Sequence, residues 1–120
     1  MRLHHVQVSC PPGGEADARR FYGEALGIPE VAKPQALAAR GGCWFRADAI
    51  EIHVGVEDGF TPARKAHPAI LVDDVDGTAE RVAGHGFPVT WDDDFPGYRR
   101  FHTVDGSGNR VEVLGALVLN

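Results

Sequence analysis

Cysteine, methionine and unbroken apolar sequence are all scarce in these 120 residues. There are two cysteines, Cys10 and Cys43, and one methionine. The two cysteines form neither a CxxC pair nor a disulfide framework, so a reducing compartment is the simplest setting, with a single bridge between them left open. Nowhere does the sequence approach the ~20 consecutive apolar residues that span a bilayer. The stretch Met1 to Val8 lacks the continuous apolar run of a signal peptide. The expectation is a soluble, cytoplasmic protein. Positive charge is also in short supply, with 12 Lys+Arg against 17 Asp+Glu and a net charge of −5. Neither polyanion, nucleic acid nor anionic membrane, is drawn to such a surface, and both are set aside as partners.

What remains is ordinary globular composition, 43% hydrophobic and 24% charged. A chain of this length buries roughly two-thirds of its unfolded surface, enough for one core without disulfides or a structural metal. One domain is therefore expected over 1–120. Leu3–Ser9 alternates with Val6 and Val8 on one face, which reads as a strand. Glu15–Leu26 reads as a helix closed by Gly27. Strand-like runs follow around Ile28–Lys33, Ala36–Arg46 and Ala49–Val56. The order then repeats: a strand at Ala69–Val72, a helix from about Val75 to His85 capped by Asp73-Asp74, and strands at Pro88–Trp91, Tyr98–Val104 and Arg110–Leu114. His5 and His67 are 62 residues apart, Gly27 and Gly86 59, and Glu51 and Glu112 61. That agreement points to duplication of one unit. The fold class is α+β, two βαβββ modules at about 1–58 and 66–116, curled round a shared cup.

Side chains alternate across a strand, so polar residues can be assigned to faces. Glu51 and His53 stand opposite Ile50, Ile52 and Val54; Glu112 stands opposite Val111 and Val113. His5 stands opposite Val6, and His67 shares a face with Ala69 and Leu71. If the β-branched faces pack on the helices, His5, Glu51, His53, His67 and Glu112 line the other surface. An imidazole or carboxylate in an apolar strand is costly unless solvated, hydrogen-bonded or metal-bound. Two imidazoles and two carboxylates suit one divalent ion such as Ni, Zn, Mn, Fe or Co, with a position left for water or substrate. The alternative fates are ion pairs: Glu51 with Arg46 or Arg110, Glu112 with Arg99 or Arg100.

Three segments carry a resemblance: Leu3-His4-His5-Val6, Arg20-Phe21-Tyr22-Gly23-Glu24-Ala25-Leu26-Gly27, and Asp105-Gly106-Ser107-Gly108-Asn109-Arg110-Val111-Glu112. Together they resemble the vicinal oxygen chelate superfamily, which includes glyoxalase I, extradiol dioxygenases, methylmalonyl-CoA epimerase and the fosfomycin- and bleomycin-resistance proteins. The resemblance spans essentially the whole chain. It implies metal ligands at His5, Glu51, His67 and Glu112, with His53 as the alternative to Glu51. It also implies a homodimer. The implied activity is that of a metal-dependent lyase or isomerase, which chelates a small oxygenated substrate and stabilises an enediolate-like intermediate. Glu112 or Glu51 would be the general base. Two other activities of the superfamily stay open: metal-free binding of a drug or natural product, and ring-cleaving dioxygenation. A departure lies at Asp105-Gly106, where relatives read Asp-Pro.

Further candidates come from the loops. Arg64 and Lys65, close to His67, have the charge to hold a substrate carboxylate or phosphate, or form a solvated basic loop. Trp91, Phe95 and Tyr98 flank an acidic turn followed by Arg99-Arg100, and line a pocket or belong to a core or dimer contact. Trp44, Trp91, Tyr98 and Phe101 are the stacking surfaces that drug binding would use. His102 alternates with Phe101 and Thr103 and is either an acid/base or supporting group, or an exposed histidine. No basic neighbour favours a thiolate at Cys10 or Cys43.

Overall fold

The structure is a computed structural model that describes residues 1–117. It contains the strands β1 (Val6–Cys10), β2 (Glu30–Val31), β3 (Cys43–Ala47), β4 (Ile50–Val56), β5 (Ala69–Leu71), β6 (Thr90–Asp92), β7 (Tyr98–Val104) and β8 (Arg110–Ala116). Three α-helices interrupt them: α1 (Glu15–Ala18), α2 (Gln35–Ala38) and α3 (Val75–Gly84). Two four-stranded mixed sheets result, ordered β1-β4-β3-β2 and β5-β8-β7-β6. In each, the first strand runs parallel to the fourth and the other neighbours are antiparallel. The same topology twice over is what duplication of a βαβββ unit produces. The two sheets are not closed into a barrel.

Helix α1 continues as a π-helical segment over Arg19–Ala25, which buries Phe21, Tyr22 and Ala25. Gly27, at φ +75°, then turns the chain at no Cβ cost. The Asp74 carboxylate accepts from the Gly77 amide at 3.0 Å and so caps α3 as expected. The middle of module one differs from the sequence reading. In place of a strand over Ala36–Arg46 there is a one-turn helix, α2, then β3 from Cys43. Pro34 followed by Gln-Ala-Leu-Ala carries no β-branched residue to favour extension. Gly41 and Gly42, both at positive φ, separate the two elements.

The core lies on the helix side of both sheets. Phe21, Tyr22, Phe45, Val82, Phe101 and Val113 are fully buried in one cluster that runs through both modules. Phe21 meets Phe87 edge to face at 5.0 Å, and Arg81 Nε donates to the Ala25 carbonyl across the two helices. Gly106 lies against Asp17: a Cβ there would come 2.5 Å from the Asp17 Cβ. The close approach of the two modules thus leaves no room for a side chain at that turn. The register also refines the repeat. Val6 stands opposite Ile52, whereas Ile70 stands opposite Val113. His5, one step before Val6, is therefore level with Glu51, but Ala69 rather than His67 is level with Glu112.

Candidate functional site

The strand faces turned away from the core carry the candidate ligands, in two groups. On the first sheet, Trp44 of β3 pairs with His53 of β4. Their rings stack at 3.8 Å and 1° between planes. His5 stacks on the opposite face of His53 at 3.9 Å and 18°. His53 is 5% exposed, and its Nε2 lies 2.7 Å from Glu51 Oε2. That hydrogen bond holds the Glu51 carboxyl below the usual carboxylate range. Glu51 thus pairs with His53, not with Arg46 or Arg110. Desolvation, then the nearby His53 and His4 imidazoles, push His5 below its ordinary value, which favours the neutral ring that ligates metals. His4 Nδ1 lies 2.9 Å from His5 Nδ1, leaving Nε2 as the free nitrogen of His5.

On the second sheet, His67 Nε2 lies 3.0 Å from Glu112 Oε1. Arg100 NH1 donates to the other oxygen of Glu112 and NH2 to Asp92 Oδ2, each at 3.2 Å. His102 is directly opposite Glu112 in the ladder and has its Nε2 3.4 Å from Asp92 Oδ2. Burial pushes the Glu112 carboxyl up, but the hydrogen bonds from His67 and Arg100 outweigh it and hold it below the usual range. The backbone amide of Asp94, together with Arg100 and His102, outweighs desolvation and keeps Asp92 low as well.

The His67 contacts decide what the pair suits. His67 Nδ1 is 2.7 Å from the Lys65 carbonyl, which only accepts, so Nδ1 carries the proton and donates it. Unless Nε2 also carries a proton, as its hydrogen bond to Glu112 requires, that nitrogen turns a lone pair towards the carboxylate. Two lone pairs repel unless a second proton or a cation lies between them. A histidine whose far nitrogen donates to a backbone carbonyl, facing a carboxylate, is the arrangement found around bound divalent ions. The donor chemistry therefore fits a first-row metal. Among the described residues, no three His, Cys, Asp or Glu side chains gather into one cluster able to hold a metal ion. The structure brings His67 to Glu112, and His5 to His53 and Glu51, but does not unite the two groups.

The other candidates are spread more widely. Tyr98 and Arg100 share the Glu112 face of the second sheet. Trp91 is on the opposite face, edge to Phe101 and under the Arg99 guanidinium at 3.8 Å. Phe101 is fully buried in the core, so neither Trp91 nor Phe101 lines the ligand face. Arg99 pairs with Asp76. Arg64 lies in an exposed loop, where its carbonyl accepts from Arg110. Asp92 reads in sequence as the start of an acidic turn, and only strand pairing sets it beside Arg100. A groove of about 630 Å³ runs between the modules, lined by His5 and Glu51 and by apolar residues including Leu3, Leu26, Ile50 and Leu71.

No family model matches this chain, and no curated protein matches it in sequence. Among solved structures, a glyoxalase family protein from Bacillus anthracis is 43% identical, with 98% of this chain and 96% of that one aligned at a TM-score of 0.92. The fosfomycin resistance protein FosX from Listeria monocytogenes is 15% identical, covering 98% and 95% at a TM-score of 0.77. TnmS3, an antibiotic binding protein from Streptomyces sp. CB03234, is 22% identical, covering 98% and 99% at 0.70. The last two share the fold.

Proposed function

Because this chain belongs to the glyoxalase family, we propose that it is a divalent-metal-dependent enzyme, a lyase or isomerase acting on a small oxygenated substrate. The meeting of His67 Nε2 with Glu112 Oε1 at 3.0 Å, with the far nitrogen of His67 donating to a carbonyl, carries the reading. Four ligands are assigned: His5, Glu51, His67 and Glu112. They are completed across a homodimer, His5 and Glu51 of one protomer joining His67 and Glu112 of its partner. The separation of the two groups within one chain supports this, as does Leu71, 65% exposed beside the second group.

When bound, an ion of the Ni, Zn, Mn, Fe or Co type supplies Lewis-acid polarisation of two neighbouring oxygens. The side chains divide the remaining work. Arg100 holds one oxygen of Glu112 while the other faces His67, so Glu112 anchors. Glu51 has His53 on one oxygen only among the described hydrogen bonds, and it is the carboxylate with freedom to accept a proton from carbon next to a carbonyl.

The second reading is metal-free binding of a drug or natural product, favoured by the largely apolar groove beside Leu3 and Leu71. Metal content per chain tests the two. Protein purified without a tag or chelator should carry about one ion per chain, lost in His5→Ala and Glu112→Ala. No ion even after adding Ni²⁺, Mn²⁺, Fe²⁺ or Zn²⁺ overturns the enzyme reading and leaves ligand binding.

A further inference from the structure

The sequence leaves open which of Glu51 and His53 serves as ligand. We infer that His53 is a positioning residue, a buried strut that aims Glu51 and His5 at the ion, and not itself a ligand; this rests on the metal reading above. Three observations converge on it. Both faces of the His53 ring are covered, by Trp44 at 3.8 Å and by His5 at 3.9 Å. Its Nε2 edge is engaged by Glu51 at 2.7 Å. The residue is 5% exposed, whereas His5 is exposed and Glu51 intermediate.

A ring clamped on both faces has its orientation set by its neighbours. An ion at Nε2 would break the Glu51 bond, and among the described hydrogen bonds no carbonyl takes the proton of His53 Nδ1 as Lys65 does for His67. The same clamp acts outward. The stack fixes the plane of the His5 ring, and the hydrogen bond fixes one oxygen of Glu51, leaving the other oxygen and His5 Nε2 as the free donors. Trp44 is the backing plate, since it touches His53 and has no ligating atom. Groups that orient ligands in this way are worth roughly 10–100-fold in metal affinity.

The test uses Co²⁺ and the intact dimer, with affinity from calorimetry and ligand identity from paramagnetic proton NMR. Each coordinated histidine with a protonated second nitrogen gives one strongly shifted exchangeable N–H signal. Three variants separate the effects. His53→Phe keeps a ring in the stack and removes the bond to Glu51; His53→Gln keeps a donor and removes the ring; Trp44→Leu removes only the backing. The expected result is affinity lowered roughly tenfold or more in each, with the number of shifted N–H signals as in the unmodified protein. Loss of one such signal in His53→Gln would make His53 a ligand and overturn the inference. Affinities within twofold of the unmodified protein in all three would overturn it too. If either His53 variant does not fold, Trp44→Leu decides. An unmodified protein that binds no Co²⁺ overturns the metal reading itself, an outcome distinct from the other two.

Discussion

The Tyr22 hydroxyl donates to Asp105 Oδ2 at 2.7 Å, a buried bond between residues 83 apart in sequence. Asp105 Oδ1 accepts from the amides of Ser107 and Asn109, and the Asn109 side chain donates both to Asp105 and to the Ser9 carbonyl. The helical segment and the β7–β8 turn are thereby fastened to one carboxylate, and the first strand is joined to them through Asn109. The segments that carry the family resemblance, around Phe21-Tyr22 and Asp105–Asn109, are thus largely a clasp between modules, while only His5 and Glu112 at their margins belong to the candidate ligand groups.

Removing the hydroxyl tests the clasp. Tyr22→Phe should destabilise the fold by about 1–3 kcal/mol, the cost of leaving a buried acceptor short of one donor. Urea unfolding measures it. Metal or ligand binding by the folded protein should hardly change, because neither group faces the site.

Acid should unfold the metal-free protein through its site carboxylates. Glu112, Glu51 and Asp92 are all held below their ordinary range. A depressed pKa contributes stability that is present above the unfolded value and lost as pH falls through the folded one. Urea midpoints should therefore fall as pH drops below about 4.5, the ordinary glutamate value. In Arg100→Gln the Glu112 carboxyl loses a charged donor and rises towards its unfolded value, so the variant should start less stable at neutral pH and lose less on acidification. An unchanged acid profile in that variant would contradict the pairing.

A site shared between protomers predicts complementation. On the proposed ligand set, His5→Ala and Glu112→Ala each remove a ligand from every site. After unfolding and refolding together, about half of a two-fold dimer population is mixed, and each mixed dimer regains one intact site of two. Metal content should return to about one quarter of the unmodified value. A site built within one chain would recover nothing.

Both cysteines should be inert in the native state. Cys43 is 1% exposed and burial pushes its thiol up to about 11; Cys10 is equally buried and also raised. Iodoacetamide at pH 8 should label neither until denaturant is added, as mass spectrometry will show.

Alternation along single strands was enough to put Glu51 and His53, or Glu112, on the face opposite Ile52 or Val113, because side-chain direction in a strand is a local property. Turn and cap chemistry at Gly27 and Asp74 was legible for the same reason. The helix at Gln35–Ala38 was not, since a short alanine-rich stretch between prolines and glycines satisfies either period. What only the tertiary structure decided is which neighbours these side chains meet. Arg100 rather than Arg99 holds Glu112 because the ladder puts Arg99 on the helix side beside Asp76. Trp91 falls on the helix-side face for the same reason, and Asp92 beside Arg100 on the other. His53 is clamped rather than free because β3 lays Trp44 across it. Residue type and local period determine which face a group occupies; pairing between strands distant in sequence determines its partners, and partners determine its chemistry.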